Sequence, residues 1–137
     1  MKQRWLTYIR RYEGLNLYPY RCPSGCLTIG YGHNLENGIS QETARYILRE
    51  DLYNAVNHVS KQFPWWQKLD EVRQFVLADM AFNMGVGKLS SFKKMLAAVQ
   101  RGDYQKAAAE MLQSRWAGQV GYRALELAEM MKTGAYL

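Results

Sequence analysis

The apolar positions of this chain recur at two different periods, and the change between them divides it. Trp5, Ile9 and Tyr12, with Leu6 and Tyr8 alongside, fall three and four residues apart, the spacing of one face of a helix over 2–13. Gly14 stops that helix, because glycine readily takes the backbone conformation in which helices end. Leu15, Leu17 and Pro19 then alternate with polar or aromatic residues, and Leu27, Ile29 and Tyr31 alternate with Thr28, Gly30 and Gly32. Two such period-two runs predict a β-hairpin. Between them, Cys22-Pro-Ser-Gly-Cys26 fits a three-residue loop, with Pro23 presetting a type I turn and Gly25 in the left-handed position. Pro19 has no amide proton, so its strand belongs at an edge. Gly30 and Gly32 predict a close backbone approach on one face of the returning strand.

From position 40 onward the period is helical. Ser40 is an N-cap with Ile39 before it as a staple, and Ala44, Ile47, Leu48, Leu52, Ala55, Val56 and Val59 form a five-turn stripe that ends at Pro64. Asp70 opens a central core helix carrying Val72, Phe75, Val76, Met80 and Ala81, which stops at Gly85 and Gly87. Ser90 or Ser91 begins the next, with Phe92, Met95, Leu96 and Val99, closed by Arg101-Gly102; Asp103 caps another with Ala107, Ala108, Met111 and Leu112. Trp116 falls in a connection. A last helix runs from about 121 to 132, with Ala124, Leu127, Ala128 and Met131 inward and Gly134 as its stop. This order predicts a mostly helical α+β fold in one domain, 1–137. Its parts are a small β-lobe at about 14–39, a connecting helix at about 40–60, and a helical lobe at about 65–137 that includes the helix over 2–13. A cleft between the two lobes is the expected ligand site.

The 137 residues suffice for one core without disulfide or metal support. Two cysteines, His33 and His58 show no ligand spacing, so neither a metal nor another cofactor is expected. A net charge of +6 favours a polyanionic partner: nucleic acid, anionic lipid, or the carboxylates and phosphates of a bacterial envelope. The basic residues are spread along the chain and no nucleic-acid-reading motif occurs, which argues against the first. No apolar run approaches the ~18 residues of a membrane span, and MKQRWLTYIRR is too interrupted for a signal peptide. A soluble chain made in the cytoplasm is expected.

Glu13 stands at a helix C-terminus, where the unpaired carbonyls disfavour a carboxylate. Either the last turn is solvated and the mismatch costs a few tenths of a kcal/mol, or the carboxyl is placed for chemistry beneath the hairpin that carries Cys22 and Thr28. At that position, with partial burial, the protonated form is favoured, as a general acid requires.

The segment EGLNLYPYRCPSGCLTIGYGH at 13–33 resembles the active-site segment of the bacteriophage-type lysozymes, the muramidases of glycoside hydrolase family 24. That family carries a glutamate, eight residues, Asp or less often Cys, five residues, then Thr; here these are Glu13, Cys22 and Thr28. TIGYGH at 28–33 matches its T-I-G-x-G-H, and FNMGVGKLSSF at 82–92 and SRWAGQVGYR at 114–123 extend the likeness over nearly the whole chain. The resemblance implies a lysozyme-like fold and an endolysin. Such an enzyme hydrolyses the β-1,4 bond between N-acetylmuramic acid and N-acetylglucosamine in bacterial peptidoglycan, with inversion. Glu13 would be the general acid, and Cys22 and Thr28 would hold the attacking water.

By the same resemblance Arg123 matches an arginine that pairs with the catalytic glutamate, and His33 is the partner of Asp51. Asp51 interrupts an apolar stripe and needs such a partner if buried; the pair reads as structural. Asp79 and Asn83, a turn apart on the central helix, either line the cleft as sugar-binding groups or are buried and satisfied by backbone. The implied protein is a monomer acting on peptidoglycan, with neither nucleic acid nor stable membrane insertion. If phage-derived, it would stay in the host bacterial cytoplasm until a holin or similar protein opened the membrane. The short connection NLENGIS leaves little room for further β structure, which implies a shallower cleft on that side. The alternative is a non-catalytic peptidoglycan-binding or interaction module on the same scaffold, prompted by Cys22 in place of Asp. Arg21 is the neighbour expected to lower the Cys22 pKa from about 8.5. Cys22 and Cys26 face each other at the mouth of the hairpin, and the loop is compatible with free or bridged thiols.

Overall fold

Gly14 ends the first helix of the computed structural model, which describes residues 1–137. Helix α1 spans Gln3–Glu13, and Gly14, at φ +70°, closes it by donating its N–H to the Arg10 carbonyl at 2.9 Å. Strands β1 (Asn16–Arg21), β2 (Leu27–Gly30) and β3 (His33–Asn34) follow in an antiparallel sheet of order β1-β2-β3. Pro19 therefore lies on an edge strand, as its missing donor requires. Tyr20 stands opposite Thr28 and Arg21 opposite Leu27, while a bulge interrupts the pairing between Asn16 and Tyr20. Strand β3, only two residues long, lies beyond the two period-two runs and is too short to show a period of its own. The alternating pattern gives β1 an apolar face, yet Leu15 and Leu17 are exposed, and within the sheet only Thr28 is buried.

The chain forms two compact units, Met1–Tyr46 and Ile47–Leu137, and helix α2 (Gln41–Gln62) runs through the boundary. Ser40 caps α2, its hydroxyl accepting the Thr43 N–H at 3.1 Å. Of the expected stripe only Ala55 and Val59 are buried; Ala44, Ile47, Leu48 and Leu52 are exposed. The core of the second unit covers only the later turns of α2, so periodicity alone extended the buried stripe too far.

That core is built from a 3-10 turn at Pro64–Lys68 and helices α3 (Glu71–Met84), α4 (Val86–Ser90), α5 (Lys93–Gln100), α6 (Tyr104–Leu112), α7 (Arg115–Val120) and α8 (Tyr122–Thr133). Asp70 caps α3 by accepting the Arg73 N–H at 3.1 Å. Val76, Leu77 and Met80 of α3 are fully buried with Leu89, Met95, Met111 and Met131. Helix α6 packs on α5 and α8, and α3 on α8. Phe75, placed inward by the sequence pattern, is instead exposed and meets the Tyr136 ring edge-on. Helix α5 starts after Phe92 and not after Ser90 or Ser91. Trp116 lies not in a connection but in α7, buried, below a cap in which the Ser114 hydroxyl accepts the Ala117 N–H at 3.2 Å.

Arg73 closes the far end of α8. Its Nε donates to the Met131 carbonyl at 2.7 Å and its Nη2 to the Lys132 carbonyl at 3.0 Å, while the guanidinium lies 3.5 Å from the Tyr104 ring centre. These are the carbonyls a helix end leaves unpaired. Gly134, left-handed at φ +74°, sits against this arginine: a Cβ there would come within 2.7 Å of Nη1. Gly134→Ala is expected to cost about 2 kcal/mol, the sum of left-handed strain and a displaced guanidinium. A lower urea midpoint with an unchanged m-value would show it.

Candidate active site

In the first unit, the end of α1 brings Glu13 against the turn after β2. A Cβ on Gly32 would lie 2.7 Å from the Glu13 carboxyl carbon, so the exposed carboxyl would have to move aside, and the φ of +75° is what requires glycine there. Gly30 has a positive φ but open space around it, so of the two predicted close approaches only Gly32 is one. The Glu13 side chain is exposed, not partly buried as expected from sequence.

Cys22 follows β1 directly and Cys26 precedes β2. The Cys22 N–H donates to the Cys26 carbonyl at 2.9 Å, extending the ladder, and the Gly25 N–H closes the turn on the Cys22 carbonyl at 2.8 Å. The Cys22 sulfur lies 3.0 Å from the Ser24 hydroxyl and accepts the Cys26 N–H at 3.3 Å. These contacts pull the Cys22 thiol down to about 7, the Ser24 hydroxyl acting most strongly, then the Cys26 amide, while burial opposes them. Arg21, expected to do this, instead donates to the Gly25 carbonyl at 3.1 Å and stands 4.0 Å from Glu36. Ser24 went unnoticed in the sequence, although a hydroxyl midway between two thiols was the available signal. Thr28 is buried and donates to the Cys26 carbonyl at 2.8 Å, which leaves its lone pairs for another donor such as water. His33 Nε2 is 2.8 Å from the Gly38 carbonyl.

In the second unit, Asp79 of α3 takes both Arg123 Nε and Nη2 of α8 at 2.8 Å each. The carboxylate hydrogen bonds raise the Arg123 guanidinium further above its ordinary value, against the opposing effect of burial. Nε and Nη2 of Arg123 are thus held together by one carboxylate in bidentate geometry. Asn83 accepts the Trp116 indole N–H at 2.9 Å, and Phe92 meets the Trp116 ring edge-on. Asp79 and Asn83 thus bond to side chains and not to backbone, Asp79 half-buried and Asn83 exposed. Asn83 also borders a cavity of about 850 Å³ shared with Lys88, Lys94, Glu110, Arg115 and Trp116. Asp51 is exposed on α2, so the burial cost that called for a partner does not arise. No helix is long and apolar enough to cross a membrane.

A mostly helical α+β chain with Glu13 ending α1, Cys22 in the hairpin loop and Thr28 in β2 has the pattern of a lysozyme-class protein. The phage lysozyme family model matches residues 10–128, and the chain belongs to that family, which makes it a glycoside hydrolase. Among curated relatives it is 32% identical to an endolysin of Acyrthosiphon pisum secondary endosymbiont phage 1, covering 82% of this chain and 77% of that protein. It is 31% identical to the pre-baseplate central spike protein Gp5 of Enterobacteria phage T4, over 92% of this chain but 27% of that protein. An endolysin of Bacillus phage B103 is 33% identical, over 91% of this chain and 49% of its own length. The chain thus spans only about a quarter of the T4 spike protein and about half of the B103 endolysin.

Proposed function

We propose that this chain is an endolysin-type muramidase cleaving the β-1,4 bond between N-acetylmuramic acid and N-acetylglucosamine in bacterial peptidoglycan. The observation that carries this is the seating of the Glu13 carboxylate on Gly32, in the unit whose hairpin holds Cys22 and Thr28. Glu13 donates a proton to the departing glycosidic oxygen. On the opposite face of the sugar, the Cys22 thiolate accepts a proton from water while Thr28 orients that water, and the anomeric centre inverts. With its thiol lowered to about 7, Cys22 is substantially ionised at neutral pH. That supports catalysis over the alternative, a non-catalytic peptidoglycan-binding or interaction module. The cavity beside Lys88, Lys94 and Arg115 suits the carboxylates of peptidoglycan peptides, as does the net charge of +6. In this reading 1–137 is a single catalytic domain acting as a monomer. A phage-encoded copy waits in the host cytoplasm for a holin to open the membrane.

The pH profile tests the role of Cys22. Protonation silences the base, so kcat/KM should rise as pH passes about 7. Cys22→Asp should move that ascending limb down into the carboxylate range near 4. A limb that stays where it was in the Asp variant would remove Cys22 from the mechanism.

A further inference from the structure

The hairpin loop holds a second sulfur that the hydrolytic mechanism leaves unused. The sheet register runs Tyr20 opposite Thr28 and Arg21 opposite Leu27, and the Cys22 N–H to Cys26 carbonyl bond makes the two cysteines the next facing pair. Facing residues of an antiparallel ladder stand about 4.5 to 5.5 Å apart, inside the range that a disulfide spans. Both thiols also lie on one side of the loop, since Ser24 Oγ is 3.0 Å from the Cys22 sulfur and 3.9 Å from that of Cys26. Both are free and partly accessible.

The two sulfurs differ in character. Cys22 receives the Cys26 amide and the closer approach of the Ser24 hydroxyl, the environment of a thiolate. Cys26 also feels Ser24, which lowers it, but Glu36, burial and the neighbouring Cys22 outweigh that and push its thiol up. Arg21, 4.0 Å from Glu36, is the other charged group at this end of the hairpin. One thiol is thus poised to attack and the other held in reserve beside it.

We propose that Cys22 and Cys26 form a thiol–disulfide exchange pair for low-molecular-weight disulfides, Cys22 attacking and Cys26 resolving, and that the bridge they close switches off the hydrolytic site. The Cys22 thiolate attacks one sulfur of the small disulfide, forms a mixed disulfide and expels one thiolate. That thiolate takes the Cys26 proton. The Cys26 sulfur then attacks the Cys22 sulfur and expels the second thiolate, which takes up a proton from solvent. In sum the two cysteines lose two electrons and the one proton that Cys26 carried, solvent supplies a second proton, and the small disulfide becomes two thiols. The switching part rests on Cys22 acting as the catalytic base, because a bridged sulfur has no thiolate to offer.

The test incubates the folded protein with glutathione disulfide, follows the product by intact-mass spectrometry and measures muramidase activity in parallel. The wild type should reach an internal disulfide without a retained glutathione, lose activity by at least about tenfold, and recover it with dithiothreitol. Cys26→Ser, active when reduced, should stop at a glutathione adduct on Cys22. Cys22→Ser should form no adduct at a comparable rate. A wild type that stays reduced, or that keeps the adduct, would overturn the exchange pair. Bridge formation with undiminished activity would uphold the pair and overturn the switch together with the catalytic reading of Cys22.

Discussion

Glu13→Gln should lower turnover on peptidoglycan by at least about a hundredfold, the scale of general acid catalysis, while the protein stays folded. Gln keeps the shape and the hydrogen-bonding capacity of the side chain that rests on Gly32, so packing at the end of α1 is preserved. What it lacks is the transferable proton. A thermal melt matching the wild type alongside the lost activity separates chemistry from folding. Activity within a few-fold of wild type would remove Glu13 from its role.

Trp116→Ala should be the most destabilising single change in the second unit, by about 3 to 5 kcal/mol. The indole is 6% exposed, meets Phe92 edge-on and donates to Asn83. Its removal opens a cavity, which is the main cost, because Asn83 is exposed and water can replace the lost indole donor. Trp116→Phe keeps most of the volume and loses only the N–H, so it should cost nearer 1 kcal/mol. Chemical denaturation of both variants measures the difference. Equal losses in the two would mean that the hydrogen bond, and not the packing, dominates.

The parts of this fold legible in the sequence are those marked by stop residues and a sustained period. Gly14, the Pro-Ser-Gly loop and the Asp70 cap mark α1, the hairpin and the start of α3 at their observed places. Helices α4 and α7 were not legible, since VGKLS and RWAGQV are too short to show a period and each contains a glycine. The α2 stripe was over-read because apolar spacing reports a possible buried face and not what covers it. At the site, the Glu13, Cys22 and Thr28 spacing was visible as a local pattern. The Asp79–Arg123 pair was not, because its members lie 44 residues apart and only the packing of α3 on α8 joins them. The effect of Ser24 on Cys22 needed the hairpin's hydrogen bonds, which residue order alone does not show.

Digestion of purified peptidoglycan with mass analysis of the fragments tests the central claim most directly. The wild-type protein should release muropeptides that end in reducing N-acetylmuramic acid, and Glu13→Gln should release almost none under the same conditions. Fragments cut only within the peptides, intact peptidoglycan, or equal release by the Glu13→Gln protein would contradict a muramidase with Glu13 as its acid.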